Sequence, residues 1–208
     1  MKIISSADDR TFVFLKEKGV HNPVYIGLWN SVINNELLES IKQFDWSSIT
    51  IRDFETMSKM ARENPMYNEI EGITHTTSFA DKSNVKWQII NANQLGADLS
   101  YLYSKLSSMF TQYKIWVTRI DPGCCIPQHV DTVDAFVDDF EIPEEKIKNI
   151  KRLAILPEDI KPWHHLWYGN KIISEGKQGD VWSFNFWTPH GGSNLGPDPK
   201  YTIQVIAI

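Results

Sequence analysis

The chain has 208 residues, of which 42% are hydrophobic and 23% charged, and its formal net charge is −5 at pH 7. This composition is typical of a globular protein with a buried core, and the negative charge disfavours nucleic acid as the main partner, because phosphate backbones require a concentrated basic surface. No window approaches the roughly 20 consecutive apolar residues of a membrane span, so we expect no membrane partner.

The cysteines and the first residues of the chain both bear on its location. Cys124 and Cys125 are adjacent in the sequence, so they cannot form the spaced pairs of a secreted disulfide framework. The first ten residues lack the apolar stretch of a signal peptide. We therefore expect a cytoplasmic protein.

The first half of the chain, residues 1–112, is predicted to mix helix and strand and to support the second half. Its β-prone runs are 11–15 and 24–28, and its apolar residues recur at helical spacing in 35–44, 52–64 and 94–110. Of the three predicted helices the middle one is the weakest, and it is expected to end at Pro65.

The second half, residues 113–208, has the pattern of a β structure. Its predicted strands are 113–120, 151–156, 165–168, 171–174, 181–186 and 201–208. Short strands separated by glycine and proline turns favour a jelly roll or small barrel. Because the sequence contains no internal repeat and no linker, we expect one domain over 1–208 that is mainly β with supporting helices, an α+β fold.

Residues 132–150 interrupt the β pattern with a run of aspartates and glutamates. Charge runs usually face solvent, so one interpretation is a solvated helical insertion. The other is a lid, because active-site lids commonly emerge from loops next to the chemistry. In the second case the acidic character would favour a substrate with positive charge.

The sequence contains a candidate metal site formed by His129, Asp131 and His190. Residues i and i+2 of a strand point to the same side, so His129 and Asp131 can reach one ion, and His190 must come from another strand. Two imidazoles and one carboxylate are the ligand set that binds Fe(II) on one face and leaves other coordination positions open. We expect Gln128, Asn185 and Ser193 to orient these ligands.

Further residues occur in a characteristic order around this motif. Thr118 lies eleven positions before His129, Arg152 follows the first two ligands, and Lys200 lies ten positions after His190. With this order, residues 116–208 resemble the catalytic core of the Fe(II)/2-oxoglutarate-dependent oxygenases, and among them the aspartyl/asparaginyl β-hydroxylase-like branch. The resemblance implies a double-stranded β-helix, the cupin-like jelly roll, and a requirement for Fe(II), 2-oxoglutarate and O2.

The resemblance also implies roles for three of these residues. Lys200 and Thr118 would hold the far carboxylate of 2-oxoglutarate, and Arg152 would face either the metal-proximal end of the co-substrate or the substrate itself. The branch usually has arginine at the position of Lys200, and lysine provides a point charge in place of a bidentate fork. The alternatives are a solvated turn lysine at position 200, a plain strand threonine at 118 and an arginine that pairs with an acid of the 132–150 insertion.

Two residues, His165 and Trp182, are predicted to face the substrate in an aromatic pocket. The implied reaction is hydroxylation of a C–H bond in a peptide, amino acid or small metabolite, with 2-oxoglutarate converted to succinate and CO2. Two other classes remain open, a cupin-like metal enzyme that uses no 2-oxoglutarate and a catalytically inactive β-roll that only binds a partner. Metal and 2-oxoglutarate binding separate the three classes, whereas the oligomeric state is not specified by the sequence.

Overall fold

The computed structural model describes residues 23–56, 82–131, 133–169 and 171–208. Eleven strands lie in these segments: β1 (Val24–Leu28), β2 (Arg52–Asp53), β3 (Lys86–Asn91), β4 (Tyr113–Ile120), β5 (Cys125–His129), β6 (Lys151–Ile155), β7 (His164–Tyr168), β8 (Lys171–Ile173), β9 (Asp180–Asn185), β10 (His190–Asn194) and β11 (Lys200–Ala207). The α-helices that lie wholly within these segments are α1 (Asn35–Gln43), α2 (Ser100–Ser107), α3 (Asp134–Asp139) and α4 (Glu144–Ile147).

The strands form two antiparallel sheets. The large sheet has the order β1-β9-β6-β11-β4-β3-β2, and the small sheet has the order β5-β10-β7-β8. From β4 onward the chain passes repeatedly from one sheet to the other, which is the connectivity of a jelly roll. The predicted fold, a mainly β double-stranded β-helix with supporting helices, is confirmed.

The two faces of the large sheet bury different kinds of side chain. On the outer face, Val117, Leu153 and Val205 join a core cluster with the buried residues of α1 and α2. The inner face turns toward the small sheet, because Ala154 of β6 clusters with Leu166 of β7. Strand alternation therefore places every second residue of β4, β6 and β11 in the space between the sheets.

The supporting helices are partly as predicted. Helix α1 begins after Asn34, whose side chain accepts a hydrogen bond from the backbone N–H of Leu37 at 2.9 Å, as expected of a capped helix. The predicted helix 94–110 is wrong at its start: residues Ala92–Leu95 form a 3-10 turn, and Gly96 follows in the left-handed region with φ 66°. Helix α2 therefore begins at Ser100.

Two other predictions for the N-terminal half are corrected by the structure or concern residues outside its described segments. The helix predicted over 52–64 is wrong at its first two residues, since Arg52 and Asp53 pair with β3 as strand β2, whereas residues 54–56 are helical as predicted. The remainder of that prediction from 57 onward, and the strand predicted at 11–15, fall outside the described residues. None of the helices in the described segments combines the length and apolar character that crossing a membrane requires.

The acidic insertion is a packed element with one charged face. Phe136 and Ile142 are buried and cluster with Phe186, which follows β9, and with Ile206 of β11. Most of its acidic side chains are exposed, and Asp139 pairs with Lys114 of β4. The insertion therefore contributes its own apolar face to the core, while its function as a lid stays a prediction.

Candidate metal centre

The two candidate histidines lie directly opposite each other in the small sheet. His129 ends β5 and His190 begins β10, and the antiparallel register pairs them. Their ring centroids are 4.5 Å apart. The β5–β10 ladder thus brings the strand of His190 beside the strand of His129, as the sequence predicted.

Asp131 completes the group two residues after His129. Its Oδ1 lies 3.4 Å from Nε2 of His129, and its Oδ2 lies 3.2 Å from Nε2 of His190. One ligand atom from each of the three residues falls within 4.8 Å of the others. The three residues form a group that can hold a metal ion, with two nitrogen donors and one carboxylate.

Backbone carbonyls orient both imidazoles. Nδ1 of His129 lies 2.9 Å from the carbonyl oxygen of Pro127, and Nδ1 of His190 lies 2.9 Å from that of Thr188. An Nδ1–H that donates to a carbonyl leaves Nε2 unprotonated and directed at the metal position. Burial also lowers the pKa of His190, which favours the neutral, metal-binding form.

The residues predicted to orient the ligands do not make these contacts. Asn185 accepts a hydrogen bond from Lys151 at 2.5 Å, and Ser193 lies opposite Cys125 in the ladder, three residues beyond His190. For Gln128 the structure shows no hydrogen bond to a ligand among the described residues. The orienting groups are main-chain oxygens two residues before each histidine, which a search for polar side chains cannot find.

A buried arginine pairs with the carboxylate of the triad. Nη2 of Arg152 lies 2.7 Å from Oδ2 of Asp131 and donates to Oε1 of Gln204 at 2.8 Å. Nε2 of Gln204 in turn donates to Oγ1 of Thr118 at 3.0 Å. Burial alone would raise the pKa of Asp131, but the charge of Arg152 and the contacts with both histidines hold it well below its ordinary value, so the carboxylate is ionised.

These contacts locate two of the residues predicted to bind co-substrate. Thr118 and Arg152 are both buried on the inner face of the large sheet. Arg152 pairs with Asp131 itself, and not with an acid of the 132–150 insertion. Direct contact of Thr118 or Arg152 with 2-oxoglutarate stays a prediction.

Lys200 is a buried cation, and no carboxylate of the described residues pairs with it. Its side chain is 3% exposed, and Nζ donates to the carbonyl oxygen of His165 at 2.5 Å. No acidic side chain in the described segments forms an ion pair with it, and burial lowers its pKa to about 7. The alternative of a solvated turn lysine is therefore wrong.

The proximity of Lys200 to a glycine of β10 shows where its ammonium group lies relative to the triad. A Cβ on Gly192 would lie 2.7 Å from Nζ of Lys200. Gly192 is two residues beyond His190 on β10, so it lies on the same face, roughly 7 Å along the strand. The ammonium group thus lies on the side of β10 that carries the metal ligand.

The two predicted substrate residues occupy different places. His165 is adjacent in sequence to Leu166, which faces the interior cluster, so alternation turns the His165 side chain to the other face of β7. The structure does not bring it to the triad. Trp182 is 6% exposed in the interior cluster and contacts Tyr25, with ring centroids 5.6 Å apart.

Two aromatic residues next to the triad were not predicted. Phe184 and Tyr168 both contact His190, with ring centroids 5.1 Å and 5.9 Å from the imidazole. Tyr168 is directly opposite His190 in the β7–β10 ladder. Tyr168 and Phe184 each lie two residues after a strand residue that faces the interior, Leu166 and Trp182 respectively. This spacing was the signal available in the sequence.

Comparisons with known proteins leave the family open. No family model matches the sequence, and no curated protein matches it. A double-stranded β-helix domain protein from Klebsiella pneumoniae has 22% identity, a TM-score of 0.30 and coverage of 46% of this chain and 66% of its own. A putative sugar phosphate isomerase from Acidithiobacillus ferrooxidans has 12% identity, a TM-score of 0.35 and coverage of 61% and 62%.

A predicted oxalate decarboxylase from Thermotoga maritima has 11% identity, a TM-score of 0.34 and coverage of 59% of this chain and 81% of its own. This chain spans less than two thirds of the length of the Klebsiella and Acidithiobacillus proteins. Similarities of this size carry no argument about activity. The chain is a double-stranded β-helix protein whose own residues form a site able to hold a metal.

Proposed function

We propose that the protein is an Fe(II)/2-oxoglutarate-dependent dioxygenase that hydroxylates a C–H bond of a peptide, amino acid or small metabolite. One observation carries the proposal: the His129/Asp131/His190 group and the unpaired ammonium of Lys200 lie on the same face of the small sheet, about two residues apart. The first is suited to a metal and the second to an anion. A co-substrate with a chelating end and a carboxylate end requires both.

The donor set supports iron as the metal. Two neutral imidazoles and an ionised carboxylate are the ligands of non-haem Fe(II) oxygenases. When bound there, Fe(II) supplies the activation of O2 that drives decarboxylation of 2-oxoglutarate to succinate and CO2 and oxidation of the substrate. The contribution of His129 and His190 is to present Nε2 in a fixed direction, and that of Asp131 is to remain anionic.

Lys200 supports 2-oxoglutarate as the co-substrate. A buried ammonium without a counter-ion is costly, and a carboxylate brought beside it would restore the lost electrostatic stabilisation. Thr118 and Thr202 are opposite each other on the inner face, next to Lys200 along β11. Their hydroxyl groups can donate to the same carboxylate, in agreement with the role expected for Thr118.

The aromatic side chains around His190 support a reaction that excludes water. Tyr168 and Phe184 are both buried, and burial raises the pKa of Tyr168, so its hydroxyl stays protonated at neutral pH. A low-dielectric surrounding strengthens the charge contacts of Asp131 and Lys200. It also limits access of water to the reacting groups.

The test is turnover of 2-oxoglutarate. The protein is purified anaerobically, supplied with Fe(II), ascorbate, 2-oxoglutarate and O2, and assayed for succinate without a prime substrate. A His129→Ala/Asp131→Ala double variant is assayed alongside, with Arg119→Gln as a matched control, because Arg119 is on the outer face and pairs with Asp121. We expect slow succinate formation in the wild type and the control, and none in the double variant.

Binding of metal and 2-oxoglutarate decides between the remaining classes. In an anaerobic titration of the Fe(II)-loaded protein, 2-oxoglutarate is expected to produce a metal-to-ligand charge-transfer band. Binding of Fe(II) without any response to 2-oxoglutarate would contradict the proposal and favour a cupin-like enzyme that uses metal alone. Binding of neither would leave the inactive β-roll.

A further inference from the structure

A cavity lies at the β2–β3 edge of the large sheet. Its volume is about 530 Å³, within the range of small-molecule sites. The lining residues are Ser48, Ile49, Thr50, Ile51, Arg52, Thr56, Ile89 and Gln94. These described residues provide hydroxyl groups, one amide, aliphatic surface and one charged group, which is a guanidinium.

The strand register places one lining residue of this cavity, Ile89, on the same face of the sheet as the triad network, whereas Ile49 packs against the outer-face cluster at the sheet edge. Ile89 is opposite Thr118 in the β3–β4 ladder, and Thr118 accepts the hydrogen bond from Gln204 described above. Directly opposed residues of an antiparallel pair share a face. Ile89 therefore lies on the inner face of the large sheet, the face that also carries Arg152.

Arg52 is on this inner face as well. It is opposite Trp87 in the β2–β3 ladder, and Trp87 clusters with Ile120 of the large sheet and Ile126 of the small sheet. Only the inner face of β3 can reach the small sheet, so the side chain opposite Trp87 leaves the strand on that side. Arg52 is half-buried, and its charge interacts with that of Asp131.

Among the residues that the structure describes, no side chain neutralises the charge of Arg52 by direct contact. In the segments that the structure describes, no ion pair is formed by Arg52, and the nearby carboxylate of Asp131 is already paired with Arg152 at 2.7 Å. The described part of the cavity lining contains no acidic residue. Within that part the guanidinium of Arg52 is a cation without an ion pair, with hydroxyl groups and aliphatic side chains around it.

We propose that this cavity binds the prime substrate and that Arg52 binds its carboxylate, so that the substrate class is a small aliphatic carboxylate. The reaction of this substrate rests on the proposed function, whereas its binding to the cavity does not. The guanidinium fixes the acid group, the isoleucines contact the aliphatic part, and the body of the molecule extends along Ile89 toward the triad. This charge preference is opposite to the one suggested by the acidic 132–150 insertion.

Binding of simple carboxylates and of their neutral analogues tests the proposal directly. The probes are valerate, isocaproate and β-hydroxybutyrate, each compared with its primary amide by saturation-transfer NMR and calorimetry. The protein is the full chain loaded with Zn(II), which is diamagnetic and supports no oxygen chemistry, and it is measured with and without saturating 2-oxoglutarate. The variants are Arg52→Gln and Arg52→Lys, with Arg119→Gln as the control arginine.

We expect at least one of the three carboxylates to bind the wild type about 10- to 100-fold more tightly than its amide, because a hydrogen-bonded charge contact has this magnitude. Arg52→Gln is expected to remove the difference, Arg52→Lys to retain part of it, and Arg119→Gln to leave it unchanged. Arg52→Gln should keep its affinity for Zn(II) and for 2-oxoglutarate, which also shows that it is folded.

Three results would overturn the inference. The first is that none of the three carboxylates binds, and the second is that Arg52→Gln prefers the carboxylate over its amide as strongly as the wild type does. The third is displacement of the carboxylates by 2-oxoglutarate, which would assign Arg52 to the co-substrate. Failure of the proposed function has a different signature. In that case Zn(II) binds and the Arg52-dependent preference is present, but 2-oxoglutarate does not bind.

Discussion

Nη2 of Arg152 lies 2.7 Å from Oδ2 of Asp131, the one carboxylate of the candidate metal site. The arginine is itself fixed by its hydrogen bond to Gln204 and lies over the ring of Trp116, with 5.7 Å between the guanidinium carbon and the ring centroid. Residues that hold a metal ligand in place contribute to metal affinity without touching the ion. Arg152 is therefore a positioning residue for Asp131.

Substitution of Arg152 is expected to weaken metal binding. Arg152→Gln removes the charge that holds Asp131, and Arg152→Lys keeps a charge but loses the planar fork. We expect the affinity for Fe(II) or Mn(II) to fall about 10- to 100-fold in Arg152→Gln and by less in Arg152→Lys. Competition with a chromophoric chelator measures this, with Arg119→Gln as control, and unchanged affinity in Arg152→Gln would refute the positioning role.

The affinity for 2-oxoglutarate is expected to depend on the protonation of Lys200. Burial lowers the pKa of this lysine to about 7 in the free protein, and only its charged form attracts a carboxylate. The affinity should therefore be highest below about pH 7 and should fall by up to about tenfold per pH unit above it. Anaerobic titrations at saturating Fe(II) measure the dependence from pH 6 to pH 9.

A matched variant isolates the effect of Lys200 from that of other groups. The arginine of Lys200→Arg keeps its charge across this pH range. If this variant binds 2-oxoglutarate, its affinity should therefore not vary with pH. Lys200→Met should lose 2-oxoglutarate binding and retain metal binding. The same pH profile in the wild type and Lys200→Arg would show that another group controls the dependence.

Lys200 is also expected to reduce the stability of the ligand-free protein. Its pKa is about 7 in the folded protein and near the ordinary 10.5 when unfolded. Between these values the unfolded state binds more protons, so the free energy of unfolding should rise with pH, by up to about 1.4 kcal/mol per unit. Below pH 7 both states are protonated and the full penalty is present.

Denaturant unfolding of the wild type and Lys200→Met between pH 6 and pH 10 checks this prediction. Lys200→Met removes the buried charge and keeps an apolar side chain of similar length. The difference between the two proteins should favour the variant below pH 7 and diminish as the pH rises toward 10. A difference that does not change with pH would contradict it.

The strands that the sequence predicted are those with long apolar or β-branched runs, such as β4 and β11. Strands β2, β3, β5 and β10 were missed. Strand β10 has the sequence His-Gly-Gly-Ser-Asn, which has low β propensity, and it is held in place by pairing with β5 on one side and β7 on the other. Strand β5 contains Pro127, which is tolerated because β5 is the edge strand of the small sheet.

The triad was predictable because its residue types and the i, i+2 spacing are local features of the sequence. The contact between Arg152 and Asp131 was not, because it requires the register of β6 against β11 and the path of the chain after β5. The buried state of Lys200 depends in the same way on Gly192 of the facing sheet. Sequence reasoning therefore identified the candidate ligands, and tertiary structure determines which charges are paired.

The two adjacent glycines of β10 are expected to respond differently to alanine. A Cβ on Gly191 would lie 2.7 Å from the carbonyl oxygen of Ile126 and 2.5 Å from Nε1 of Trp167, and the main-chain oxygen cannot move away without disturbing the β5–β10 ladder. Gly191→Ala should therefore destabilise the protein by about 1–3 kcal/mol.

On Gly192 the nearest atom is the flexible end of Lys200, at 2.7 Å. Gly192→Ala should displace the ammonium and weaken 2-oxoglutarate binding by about tenfold, with a smaller loss of stability than Gly191→Ala. Thermal unfolding and anaerobic 2-oxoglutarate titration of both variants measure the two effects. Normal 2-oxoglutarate affinity in Gly192→Ala would show that Lys200 does not contact the co-substrate.

The apolar face of the 132–150 insertion is expected to contribute to the stability of the whole domain. Phe136 is 3% exposed and clusters with Phe186 and with Ile206 of β11, so Phe136→Ala leaves a cavity and should cost about 3–5 kcal/mol. Asp138→Asn, on the exposed part of the same helix, serves as the control and should change stability by less than about 0.5 kcal/mol. A loss below about 1 kcal/mol in Phe136→Ala would indicate that the insertion opens in the native state, as a lid does, because the phenylalanine would then contribute little to the folded core.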